Sequence, residues 1–176
     1  MTKVVRIYRH GGPEELRFED LDIGEPGAAE VRLKIEAIGL NRSEAAFRAG
    51  EYPVTPKFPT LIGYEGVGIV EALGAGVEGF RVGERVCVLP NFRLGEYGIY
   101  GERAIVPARS LLSPPPGLSP VEAASIWMQY FTALAIIEPS TPGIGGSLAG
   151  YTSVTKRVSA NRKAAPNWFR RAWVRL

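Results

Sequence analysis

Three glycines pose the first chemical question. Gly74, Gly76 and Gly79, in "LGAGVEGFRVGERV" (73–86), spell G-x-G-x-x-G, the spacing with which a loop wraps a dinucleotide pyrophosphate. Such a loop leaves a strand and opens straight onto a helix, whose N-terminal N–H groups hold the anion. "VGIVEAL" (67–73) meets the first condition. "FRVGERVCVLP" fails the second, because Gly83, the β-branched residues and Pro90 read as another strand. The glycines are therefore expected to form a loose turn between antiparallel strands, supplying positive φ. A later run, "GIGGSLAG" (143–150), has Leu148 where the third glycine belongs and comes after no strand.

Metal chemistry has little to work with. Zinc asks for three or four Cys, His or carboxylate ligands. His10 is the single histidine and Cys87 the single cysteine. His10 sits in an "HGGP" turn and Cys87 in mid-strand, so no zinc site is expected. No intrachain disulfide can form.

The elements that would position a site are mostly strands. "VVRIY" (4–8), "EVRLKIEAIGL" (30–40), "VGIVEAL" (67–73), "ERVCVLP" (84–90) and "YGERAIVP" (100–107) have strand composition. In the second, Val31, Leu33, Ile35 and Ala37 are expected on one face and Arg32, Lys34 and Glu36 on the other. Glycine and proline clusters punctuate the runs, a pattern of barrels and sandwiches. A short helix is predicted at "RSEAAFRAG", capped by Ser43 and ended by Gly50. After the proline run at 114–116, Ser119, Pro120 and Glu122 predict a capping box. The helix it opens, 119–138, is apolar nearly all round and calls for cover on several sides.

Composition sets the outer limits. The chain has 176 residues, 45% apolar and 22% charged, as in an ordinary globular domain. Its net charge of +3 hides an asymmetry: residues 1–138 hold 14 basic and all 18 acidic residues, and 139–176 hold 7 basic and no acidic ones. The body is mildly acidic and unlike a nucleic-acid surface. No secretory signal or membrane span is read, so a cytoplasmic protein is expected.

Taken in order, "EVRLKIEAIGLNRSEAAFRAGEY", "FPTLIGYEGVGIVEALGAGVEGFRVGERV" and "GLSPVEAASIWMQYFTALAII" resemble a medium-chain dehydrogenase/reductase, of the zinc-independent quinone-oxidoreductase (zeta-crystallin-like) branch. The resemblance covers about residues 3–137. It implies a mainly β fold, a GroES-like partly open β-barrel with a short helix over 1–118. A helix at 119–138 would then lead toward a Rossmann domain. It implies NADPH as cofactor, hydride transfer to a quinone or enone, and a homodimer in the intact family. Zinc alcohol dehydrogenases hold their metal with a Cys and a His where this chain has Asn41 and Tyr64, while Glu65 is kept. The four-cysteine lobe is also replaced, by "NFRLGEYGIYGE".

By position, the resemblance implies roles for four residues. Asn41 matches a cofactor-contacting asparagine. Tyr52 matches a tyrosine that contacts cofactor and, in related enoyl-thioester reductases, donates a proton; Asn41 and Tyr52 are the catalytic candidates. Thr132 matches a helix threonine at the nicotinamide, and Tyr64 would line the pocket. Each has a plainer alternative: Asn41 as a helix cap, Tyr52 as a loop aromatic on prolines, Thr132 as a buried hydroxyl bonding its own helix. Glu65 has the alternative of a buried acid bonding backbone beside a glycine-rich turn.

Beyond residue 138 the family's strand and glycine turn are not found. Residues 139–176 read as a basic, disordered tail on a truncated chain, weakly active or inactive alone. The competing expectation is a non-enzymatic interaction domain. Trp168, Phe169, Ala172, Trp173 and Leu176 would then form one face of a basic amphipathic helix; a membrane-surface role is the less favoured form.

Overall fold

Alternating apolar residues pair into two antiparallel sheets in the computed structural model, which describes residues 1–137. The expectations for 139–176 lie outside the described residues. The strands are β1 (Thr2–Ile7), β2 (Arg17–Leu21), β3 (Glu30–Gly39), β4 (Thr60–Leu61), β5 (Glu65–Leu73), β6 (Arg85–Val88), β7 (Arg103–Pro107) and β8 (Leu111–Leu112). The helices are α1 (Arg42–Ala49), α2 (Pro120–Ala123) and α3 (Trp127–Ile137). One sheet has the order β2-β1-β4, the other β7-β3-β5-β6-β8. Backbone bonds from Val5 N to Tyr100 O (2.7 Å) and Glu102 N to Lys3 O (2.9 Å) join the edge of one to the other. The result is a mainly β, GroES-like, partly open barrel.

In β5 and β6 the two faces of the strand serve different cores. Val86 and Val88 enter the barrel interior with Val31, Leu33 and Val70. Cys87, between them, points the other way with Val67, into a second cluster formed by Ala123, Ala124, Trp127 and Phe131. "RVCV" is apolar beyond its first residue because both of its faces are covered.

Strand β3 departs from the expected single face. Val31 and Leu33 are buried in the barrel and Ile35 packs against it, but Ala37 packs against the second cluster. A register irregularity between Ile35 and Ala37 in the pairing with β5 accounts for the switch. A bulge inserts one residue and turns the rest of the strand to the opposite face.

The glycine run is a turn. β5 and β6 pair antiparallel on either side of it, from Gly66 with Val88 to Ile69 with Arg85. Gly76 and Gly79 have φ of 75° and 80°, as expected. Gly74 is there for a different reason: a Cβ on it would lie 1.7 Å from Gly27 O.

Two helix readings need correction. Ser43 does not cap α1: the helix begins at Arg42, with Asn41 at the N-cap position, and ends at Gly50 in left-handed conformation. The 119–138 helix opens with the expected capping box between Ser119 and Glu122, but it bends at 124–126, dividing α2 from α3. Trp127 and Phe131 are buried, with rings stacked 5.9 Å apart. Val121 and Tyr130 stay exposed. Strands β2, β4 and β8 were not predicted; two of them are two residues long, and β2 exposes Phe18 among charged residues. No described helix is long and apolar enough to cross a membrane.

Candidate active site

The bend and the start of α1 meet at one carboxylate. Glu65 opens β5 and is 1% exposed. Its Oε1 accepts the backbone N–H of Trp127 at 2.5 Å and of Met128 at 3.1 Å. These are leading donors of α3, the first turn after the bend. The carboxylate thus caps a helix distant in sequence, where the helix dipole favours negative charge.

Oε2 of Glu65 accepts from Nδ2 of Asn41 at 3.1 Å. Asn41 has the extended backbone of an N-cap (φ −120°, ψ 154°), yet its side chain makes no capping bond to α1. The helix-cap alternative for Asn41 therefore holds for its backbone and fails for its side chain. Gly39 makes this approach possible: a Cβ there would lie 2.4 Å from Ala124 O and 2.8 Å from Glu65 Oε2. Burial pushes the Glu65 carboxyl above the usual carboxylate range, against the pull of its three N–H donors.

A second buried acid stands beside it. Glu44, in the first turn of α1, is 3% exposed. Its Oε2 accepts from Ser43 Oγ at 2.9 Å, while Oε1 has no hydrogen-bond partner. Burial raises its pKa, hydrogen bonds from its own backbone, Ser43 and Asn41 lower it, and Glu65 adds to the rise. The sequence did not single out Glu44, because a glutamate in a helix's first turn is ordinarily a solvated dipole partner. Tyr100 was also missed. Burial, then Glu44 and Glu65, hold its phenol far above the usual range. Its ring fills the space that Gly63, at φ 110°, leaves open.

The four predicted residues are placed differently. Tyr52 is half-buried, and its ring meets Phe47 edge-on at 6.5 Å. Phe47 lies one turn along α1 from Glu44, so Tyr52 packs on the helix face that carries the acid. Burial first and Glu44 second push its phenol up; it stays protonated at neutral pH and can donate. Thr132 lies exposed on α3, where Oγ1 donates to Met128 O at 2.8 Å. This matches the own-helix alternative in its bond but not in its burial. Tyr64 is 5% exposed, packed edge-on against Phe92 at 5.1 Å. Asn41, Glu65 and α3 with Thr132 are thus directly linked, Tyr52 adjoins them through α1, and Tyr64 belongs to the barrel core.

The donor set does not suit zinc. Cys87 is fully buried, its thiol directed at Ala123 O at 3.9 Å and pushed up to about 12 by burial. His10 packs against Phe58 at 5.0 Å, near Arg48 O. Among the described residues no three His, Cys, Asp or Glu side chains are grouped to hold a metal.

Comparison with known proteins places the fold in a family. Residues 27–116 match the alcohol dehydrogenase GroES-like domain. A quinone oxidoreductase of Pseudomonas aeruginosa is 35% identical over 146 residues, 83% of this chain and 43% of that protein. A 2-haloacrylate reductase of Burkholderia is 35% identical, over 76% of this chain and 40% of the relative. The crystal structure of a Pseudomonas syringae quinone oxidoreductase superposes with a TM-score of 0.71 at 32% identity, over 81% of this chain and 42% of the other. An Escherichia coli quinone oxidoreductase solved with NADPH gives 0.69 at 25% identity, over 80% and 41%. The chain spans less than half the length of these relatives. It belongs to the alcohol dehydrogenase GroES-like domain family.

Proposed function

We propose that residues 1–118, with α2 and α3 leading out of them, form the catalytic half of a zinc-independent, NADPH-dependent reductase of quinones or enones. The observation that carries this reading is the clamp at Glu65. It holds Asn41 from one element and the helix bearing Thr132 from another beside the Tyr52 loop. The family supplies the cofactor class: one relative was solved with NADPH. Asn41 and Thr132 suit the nicotinamide end, being polar groups on fixed backbone at the same corner of the barrel.

NADPH, when bound, supplies a hydride. The chain's own residues bind and orient a conjugated carbonyl and manage its proton. Tyr52, kept protonated by burial and by Glu44, hydrogen-bonds the carbonyl oxygen and gives up its proton as negative charge develops there. The pyrophosphate is held elsewhere, since the glycine turn at 74–79 joins two strands and opens onto no helix.

The test uses the 176-residue chain with reduced nicotinamide mononucleotide, which lacks the adenylate half, and cyclohexenone. Slow hydride transfer is expected, and whatever exceeds the buffer rate should be lost in Tyr52→Phe. A rate above buffer that Tyr52→Phe leaves unchanged overturns the reading.

A further inference from the structure

The nitrogen of Asn41 and the first N–H groups of α3 converge on one buried carboxylate, and this has a consequence for what Asn41 can recognise. A carboxylate only accepts hydrogen bonds. An amide that meets one must present its nitrogen, so the partner fixes an orientation that the amide's shape alone leaves open. Glu65 cannot yield: it is 1% exposed, and Oε1 is held by Trp127 N and Met128 N. Oε2 is consequently fixed and takes Asn41 Nδ2 at 3.1 Å. The hydrogen bond to Glu65 is made from the nitrogen end of the amide. The oxygen end is not used by α1, although asparagine is among the best N-caps. Asn41 is itself partly exposed.

We propose that Glu65 is a positioning residue that sets the polarity of Asn41: by taking the amide N–H at Oε2, it leaves Asn41 Oδ1 as the atom offered to a ligand, which must bring an N–H donor such as the carboxamide of a nicotinamide ring. This rests on the reading of the corner as a nicotinamide face. It also divides the labour of the site. A carbonyl oxygen has no hydrogen to give Asn41 Oδ1, so the substrate carbonyl falls to Tyr52. Asn41 then orients the hydride donor rather than stabilising developing charge. In Glu65→Gln, the new amide oxygen still serves the α3 N–H groups. Its nitrogen faces Asn41, which must turn its own oxygen inward and its nitrogen outward. Adding Asn41→Asp restores an acceptor on both sides.

The experiment titrates the full chain by NMR with reduced nicotinamide mononucleotide and, separately, reduced nicotinic acid mononucleotide, whose carboxylate has no donor. The unaltered chain is expected to favour the carboxamide by about tenfold, the scale of one buried hydrogen bond. Glu65→Gln is expected to reverse the preference, and Glu65→Gln with Asn41→Asp to restore it. A residue with a merely structural role would change both affinities together. In the ligand-free chain, isotope-edited spectra should show one Asn41 side-chain N–H shifted downfield and protected from exchange, an effect lost in Glu65→Gln. An unprotected Asn41 amide in the unaltered chain overturns the proposal, whatever the variants do. Equal binding of both probes, unchanged by Glu65→Gln, also overturns it while the nicotinamide reading stands. If neither probe binds and the Asn41 amide is protected, the nicotinamide reading fails and the Glu65–Asn41 coupling is upheld.

Discussion

Glu65 Oε1 lies 2.5 Å from the backbone nitrogen of Trp127, a residue 62 positions further along the chain. One side chain on β5 therefore caps a helix that is remote from it in sequence. Glu65→Ala removes the acceptor of three N–H groups, two of them helix donors. A loss of about 3 kcal/mol is expected, from buried donors left unpaired beside a charged acceptor's former site. The melting temperature should fall by roughly 10 °C for a chain of this length. Glu65→Gln should lose less than half of that. Equal melting of Glu65→Ala and the unaltered chain would show that α3 does not depend on this carboxylate.

The two buried acids give stability an unusual pH sign. Glu44 and Glu65 both have raised pKa values, with burial the first cause. The folded state then binds more protons than the unfolded one between the ordinary and the raised values. The stability each contributes is full below the ordinary carboxylate range and is lost as pH rises through its raised value. Glu44→Gln removes one such site and the charge on the unpartnered Oε1. A gain of about 1 kcal/mol is expected near pH 8, shrinking toward zero near pH 4. Thermal melts at the two pH values check this; an equal effect at both would rule out titration of Glu44 as the cause.

The glycine turn separates two kinds of glycine requirement. Gly74→Ala brings a Cβ to 1.7 Å from Gly27 O, so backbone must move. A cost of about 2 kcal/mol or more is expected. Gly76 has φ 75° and open space around it, so Gly76→Ala should cost only about 1 kcal/mol, from the left-handed backbone. Calorimetric titration of NADPH should be unmoved by Gly76→Ala, and the unaltered chain should bind NADPH more weakly than micromolar. Micromolar binding that Gly76→Ala abolishes would return the phosphate role to this loop.

Cys87 is expected to be inert. It is fully buried and its pKa is pushed up to about 12, so almost no thiolate is present or reachable at neutral pH. A thiol-specific dye should label the native chain negligibly over an hour and one thiol per chain after denaturation. Rapid native labelling would contradict the placement of Cys87 beneath α2 and α3.

Local pattern carried the strands that alternate and the caps that act on their own helix. Thus β3, β5 and β6 lie close to their predicted runs, and Ser119 and Glu122 form their box. Where an element is fixed from far away, the pattern misled. Ala37 changed face because of a bulge set by pairing with β5. The bend at 124–126 is stabilised by Glu65, invisible in an apolar run that reads as one helix. The candidate site was half legible. Asn41, Tyr52 and Thr132 came from positional resemblance and fall around the clamp. Glu44 and Tyr100 gave no signal, because burial of a polar residue results from packing that spacing does not encode. Tyr64, matched to a lost metal position, turned out to sit in the core against Phe92.

A site that sets the hydride donor at Asn41 and the accepting carbonyl at Tyr52 is the feature on which the proposed function stands. The direct measurement replaces the matching segment of the Pseudomonas aeruginosa quinone oxidoreductase with residues 1–137 of this chain and monitors NADPH oxidation with menadione. Turnover above background is expected, with kcat reduced about 100-fold by Tyr52→Phe and KM for NADPH raised by Asn41→Ala. A folded chimera that is inactive, or whose rate ignores both substitutions, would contradict that site.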